Sequence, residues 1–268
     1  MMTFAHSVAV LSDIHGVLPA LEAVLAEPDV RSADRIVLTG DLAAGPQPAE
    51  TLDLLIHLGE RAVWIRGNAD RELVEFARGE RTEMPDDVSA WAATQLRPGL
   101  VKLLAALPLT ATITVSGLGQ VLFCHATPAD DEEVVVVDSR LARWAEIFAG
   151  LPAQVTTIVC GHTHMPFTRL AHGRLVVNPG SVGMPYGRAG AHWALLGPGV
   201  AQRRTEYGPD AACARIAAES GFPGAAAWAD DYIRSNPTDA DALNVMAPRD
   251  GRPAAVSRSV TARRTARR

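Results

Sequence analysis

Cysteine is scarce: 268 residues hold Cys124, Cys160 and Cys213, with no C-x-x-C pair, so neither a disulfide framework nor a zinc knuckle is indicated. Two of the three close apolar runs, where a thiol packs as a small hydrophobe. Unpaired thiols fit a reducing compartment. Aromatic residues are few, at 5% of the chain, and no apolar run reaches the roughly 18 residues of a membrane span. The first residues lack a basic segment leading into a signal-peptide core, so a cytoplasmic location is expected. Excess positive charge is also missing. A formal net charge of −5 argues against a nucleic-acid surface spread over the whole molecule. What remains is the composition of an ordinary α/β protein, long enough for one large domain with an appendage.

The informative stretch is Leu11-Ser12-Asp13-Ile14-His15-Gly16, where the apolar run Val8-Ala9-Val10-Leu11 stops at an acid and a histidine two positions apart. Strand side chains repeat with period two, so the pair leaves the strand end on one side. The pattern recurs four times. Runs beginning at Arg35, Ala62, Val121 and Thr157 end at Gly40-Asp41, Gly67-Asn68, His125 and Gly161-His162-Thr163-His164. In α/β sheets the site forms outside the carboxyl ends of the strands, so these ends can meet in one crevice. Two Asp, one Asn and four His exceed what one tetrahedral ion can use, whereas two ions sharing a carboxylate would use them all.

Strand, helix, strand, helix, strand over residues 8–65 implies right-handed crossovers and a parallel half-sheet, with Pro28 ending the first helix. Residues 70–107 look helical, either overhanging the crevice or packed outside the sheet. From Thr110 the period changes to two, and hairpins through about Arg204 suggest two sheets packed face to face with helices outside. Residues 1–209 form the expected main domain, with 70–107 as a helical insertion near the site. Residues 210–246 form a C-terminal helical extension. Residues 247–268 form an Arg-rich tail expected to be disordered, with seven Arg against one Asp from Arg249. Contact with RNA or an acidic partner is assigned only to that tail.

Asp13-Ile14-His15, Gly40-Asp41, Gly67-Asn68, His125 and Gly161-His162-Thr163-His164, in this order, resemble the calcineurin-like metallophosphoesterase superfamily. Asn178-Pro179-Gly180-Ser181 is similar to a loop of its small bacterial phosphodiesterase branch. The resemblance implies a four-layer α/β/β/α sandwich of two mixed β-sheets flanked by helices. It also implies two divalent metal ions (Mn, Fe, Co, Ni or Zn). Asp13, His15, Asp41 and His164 would hold one, and Asp41, Asn68, His125 and His162 the other, with Asp41 as the bridge. A water shared by such ions falls in pKa from about 15.7 to about 7, and its hydroxide would attack a phosphodiester or nucleotide-like phosphate.

The resemblance assigns Arg66 a grip on a phosphate oxygen, with a structural salt bridge as the alternative. One motif departs from the family pattern. Where a histidine normally follows Asn68 as proton donor, this chain has Ala69, and loss of a positioned acid removes about 10²- to 10⁴-fold in rate. Either the leaving group departs unaided, or Asp70, His192 or water substitutes. His6, His57 and His172 read as surface or structural residues, and Asp130-Asp131-Glu132-Glu133 as a solvated loop. The expected substrate is a small phosphate ester. The alternatives are a protein or dinucleoside-polyphosphate phosphatase, and a non-catalytic interaction scaffold on the same fold.

Overall fold

The computed structural model describes residues 3–235 and 237–250. In chain order, β1 (Thr3–Ala5) and β2 (Val8–Leu11) lead into α1 (Leu18–Ala26), α2 (Pro28–Ser32), β3 (Arg35–Leu38), α3 (Pro48–Ile56) and β4 (Ala62–Trp64). Pro28 does more than end a helix. Glu27 turns extended, with φ −59° and ψ 133°, and the proline then opens α2 at a first helical position, where its missing N–H is no loss. Three helices fill the next block: α4 (Asn68–Ala77), α5 (Asp87–Gln95) and α6 (Pro98–Ala105). The remainder is β5 (Thr110–Val115), β6 (Gly119–Cys124), α7 (Leu141–Ile147), β7 (Val155–Val159), β8 (Phe167–Ala171), β9 (Arg174–Asn178), β10 (Ala191–Leu196), β11 (Val200–Thr205), α8 (Pro209–Glu219), α9 (Ala225–Ala229) and α10 (Asp239–Met246).

The strands form two mixed sheets, ordered β11-β10-β2-β3-β4 and β1-β5-β6-β7-β9-β8. In the first, β2, β3 and β4 run parallel, and β10 closes antiparallel onto β2. In the second, β6, β7 and β9 run parallel. Alternation along each strand explains the layering. Val8, Val10 and Val37 join Phe123, Val159 and Val177 between the sheets, while Ala9, Leu11, Ile36 and Leu38 face the helices on the other side. Leu122, Cys124, Ile158 and Cys160 point out of the second sheet toward Trp144 of α7. Helices, sheet, sheet and helices therefore make the four layers.

α5 and α6 bury Val88, Ala92, Leu100 and Leu104 in the helix layer outside the first sheet, beside residues of α1 and α3. Of this block, the first turn of α4 carries the candidate ligand. Two other expectations need correction. The stretch Ala247–Asp250 is an ordered helical turn with Asp250 buried, its Oδ2 accepting from Ser139 Oγ at 2.7 Å. The rest of the Arg-rich tail lies outside the described residues. The acidic run is not a solvated loop throughout: Asp131 is buried and takes hydrogen bonds from Arg66 and Arg71. Among the described residues no helix is long and apolar enough to cross a membrane.

Candidate metal centre

All seven expected ligands converge just past the carboxyl ends of β2, β3, β4, β6 and β7. Asp13, His15, Asp41 and His164 place one ligand atom each within 4.8 Å of one another, and Asp41, His125 and His162 do the same. Asp41 belongs to both groups. Its Oδ2 lies 3.7 Å from His15 Nε2 and 3.3 Å from His125 Nε2. Asn68 joins the second group, with Oδ1 3.2 Å from His125 Nε2.

The backbone decides which imidazole nitrogen faces inward. His15 Nδ1 meets the Ala44 carbonyl at 3.1 Å, His125 Nδ1 the Thr39 carbonyl at 2.7 Å and His164 Nδ1 the Met184 carbonyl at 2.8 Å. A carbonyl can only accept, so Nδ1 carries the proton and a neutral ring turns the Nε2 lone pair to the centre, the tautomer of a metal ligand. Asp13 is fixed likewise, its Oδ2 accepting from Ser12 Oγ at 2.5 Å and His162 N at 3.1 Å. Its Oδ1 and His162 Nε2 are buried without a hydrogen bond. Asp13 Oδ1 lies in the first ligand group and His162 in the second, so a cation in each group would satisfy one of these orphaned atoms.

Charges in the site oppose one another closely. Burial works against ionising Asp41, yet facing His125 outweighs it and holds the carboxyl far below its ordinary range. Burial disfavours a charged His125, but Asp41 pushes the imidazole up to about 10. Asp13 and His164 shift in the same opposed senses, against burial and through each other. Burial, then the neighbouring His125, pull His162 down to about 4.

Five of the candidate ligands hold left-handed backbone: Asp13, His15, Asp41, His162 and His164 have φ between 49° and 65°. The glycines beside them allow the loops to touch. A Cβ on Gly67 would lie 2.2 Å from Asp41 Oδ1, and one on Gly161 would lie 1.9 Å from Ser12 Oγ.

Asp70 does not fit the stand-in acid role. It is fully buried, and its carboxylate accepts from the backbone N–H groups of Asp41 and Leu42 at 2.9 Å and Gly67 at 3.0 Å. Burial, then the Asp41 charge, raise it to about 7. Ala69 also has a part, its N–H donating to Asp41 Oδ1 at 2.8 Å. Arg66 donates from Nε to Asp131 at 2.9 Å, the salt-bridge alternative. His192 is buried with Nε2 2.7 Å from the Arg188 carbonyl. His57 and His172 bond backbone carbonyls of Asp53 and Leu141, away from the centre.

Sequence reasoning missed Ser12 and the work of the Asn178–Ser181 loop. Asn178 Nδ2 donates to the Gly161 carbonyl at 2.7 Å, and Ser181 Oγ to the Asp13 carbonyl at 2.7 Å. The polar pair Asn178 and Ser181 at a strand end was the signal available.

Two sheets between helices with a histidine and carboxylate cluster at their shared edge define a metal-binding hydrolase of the α/β/β/α class. Residues 7–197 match the calcineurin-like phosphoesterase superfamily domain, and the chain belongs to that metal-dependent family of hydrolases acting on phosphoester bonds. The Escherichia coli phosphodiesterase YfcE is 26% identical over 199 residues, covering 69% of this chain and 84% of that protein. An uncharacterized Methanocaldococcus jannaschii protein is 28% identical over 66% of this chain and 76% of its own length. A symmetrical bis(5'-nucleosyl)-tetraphosphatase from Colwellia psychrerythraea is 34% identical over 110 residues, 40% of this chain and 39% of that one. Among solved structures, a Sphaerobacter thermophilus metallophosphoesterase aligns with TM-score 0.67 and 25% identity over 85% of this chain and 99% of its own.

Proposed function

We propose that the chain is a phosphodiesterase that holds two divalent ions, one on Asp13, His15, Asp41 and His164 and the other on Asp41, Asn68, His125 and His162. The observation that carries this reading is the pair of ligand groups sharing Asp41, with buried Asp13 Oδ1 and His162 Nε2 making no hydrogen bond. Nitrogen and oxygen donors without thiolate suit Mn, Fe, Co, Ni or Zn. When bound, such ions would activate water and neutralise charge on the phosphoryl group.

The protein's own part is positional. Carbonyls of Thr39, Ala44 and Met184 fix the imidazoles, Ala69 N–H turns Asp41, and Asp70 ties the Asp41 and Gly67 loops together. Arg66, aimed by Asp131 through Nε, has no hydrogen bond from its Nη groups among the described residues, which suits a grip on a phosphate oxygen. Ala69 offers no side-chain proton donor, so a leaving group able to depart without one is favoured. That points to an activated diester rather than an alkyl monoester. The Escherichia coli relative, a phosphodiesterase, supports the same class. The shorter match to a tetraphosphatase supports a second reading, a dinucleoside-polyphosphate phosphatase. A scaffold role is disfavoured by the complete ligand set. A reducing cytoplasm suits its free, buried cysteines.

The test pairs composition with turnover. Elemental analysis of the full chain should find two ions, and the loaded protein should hydrolyse a bis-aryl phosphodiester faster than the matching aryl phosphomonoester. A preference for the monoester reverses the substrate class. Arg66→Ala should raise KM about tenfold or more, the loss expected for one charge-assisted contact, and an unchanged KM removes Arg66 from the site.

A further inference from the structure

After its last strand the chain changes sides of the sandwich. α8 and α9 pack Cys213, Ile216, Trp228 and Ala229 into the helix layer over the first sheet. α10 packs on the opposite side, with Ala242 in the cluster around Trp144 and Met246 against Val134 and Val136. The chain between them crosses the ligand-bearing end of the sheets, where the Pro237 carbonyl accepts from Gly187 N at 2.9 Å. Beneath the crossing lies a cavity of about 340 Å³, and the candidate ligand His164 forms part of its wall.

The rest of that wall is largely apolar or aromatic. Met184 and Tyr186 come from the loop before β10, Tyr232 from the crossing segment, and Val245 and Met246 from α10. The Tyr186 ring lies 6.3 Å from that of His164, and Tyr232 rests on Trp228 at 5.1 Å. Tyr232 sits on a π-helical turn, Asp230–Arg234, closed by Ser235 N on the Asp230 carbonyl at 3.0 Å. Such widened turns occur frequently at functional sites. Tyr232 and Val245 are 40% and 53% exposed, two of six large apolar side chains so exposed among the described residues. The charged groups on the wall, Asp231 and Asp241, are acidic. Burial, then Tyr232 and the Asp241 charge, raise the Tyr186 phenol.

A cavity of this size lies within the range of small-molecule sites. Its acidic groups disfavour an anionic chain, while its rings suit a planar apolar group. Resting on the reading of the centre as a phosphoesterase site, we propose that this cavity is the subsite for an uncharged aromatic arm of the substrate, a nucleoside or aryl group. The C-terminal crossing then selects an ester carrying such an arm over an extended polyphosphate.

The test uses the full chain loaded with Mn²⁺ and titrated calorimetrically with inorganic phosphate and with adenosine 5'-monophosphate. Base stacking on a protein ring is worth roughly tenfold in affinity or more, so the nucleotide should bind at least about tenfold more tightly than phosphate. Tyr232→Ala should abolish that gain, and Tyr232→Phe should keep it. Phosphate affinity, which reports the metal centre, should be equal in all three proteins. Phosphate binding with no gain from the nucleoside, or a gain that survives Tyr232→Ala, overturns the subsite and leaves the phosphoesterase reading standing. Failure of phosphate itself to bind overturns both.

Discussion

Non-glycine residues rarely hold positive φ, and each such residue costs on the order of 1–3 kcal/mol. Here Asp13, His15, Asp41, His162 and His164 all do so. The strain at Asp41 is held by bonds from the loops around it, among them those of Asp70, whose one carboxylate fixes Asp41, Leu42 and Gly67. Asp70→Asn replaces one acceptor oxygen by a donor that faces backbone N–H groups. It should destabilise the protein by about 2 kcal/mol or more and weaken metal binding, read from urea midpoints and calorimetric titration. An unchanged midpoint would mean that the loops are set without it.

Short elements depend on their links. β1 has three residues, and the turn between it and β2 is pinned by Asp34, whose carboxylate accepts from His6 N at 2.6 Å and Ser7 N at 3.2 Å. Those bonds hold the Asp34 carboxyl below its ordinary value of 3.8. With the folded value lower than the unfolded one, the stabilisation is complete above the unfolded pKa and fades as pH falls through the folded one. Asp34→Ala should therefore lower Tm at neutral pH, and the deficit should shrink as pH falls below the ordinary carboxyl value of 3.8, as thermal melts across that range would show. A deficit independent of pH would assign it to lost packing.

At the scale of the molecule, the centre joins both sheets: Asp13 and Asp41 come from one, and His125 and His162 from the other. Ions that bind only the folded chain stabilise it, by about 2.7 kcal/mol at a hundred times Kd. That should raise Tm by about 5–10 °C for a domain of this size. Addition of Mn²⁺ or Zn²⁺ should produce the rise and a chelator should reverse it. Protons compete for the same imidazoles and carboxylates, so the gain should shrink as pH falls. A Tm indifferent to these metals would count against the centre.

The convergence of the seven candidate residues was legible because burial and chemistry alternate along the chain. Val8-Ala9-Val10-Leu11 and Thr157-Ile158-Val159-Cys160 must be strands, so the polar residues that stop them must share an edge. Charge and length misled where tertiary contacts decide. Asp131 looked solvated until Arg66 and Arg71, distant in sequence, closed on it. Asp70 stood where a catalytic acid could, yet three backbone N–H groups enclose it. β1 is too short to show a period and exists by pairing with β5. Sequence alone determined which atoms could bind a cation and in what order they arrive. The packing of two sheets decided which nitrogen of each imidazole faces inward and where the C-terminal segment crosses, because both depend on carbonyls and surfaces from residues far away in the chain.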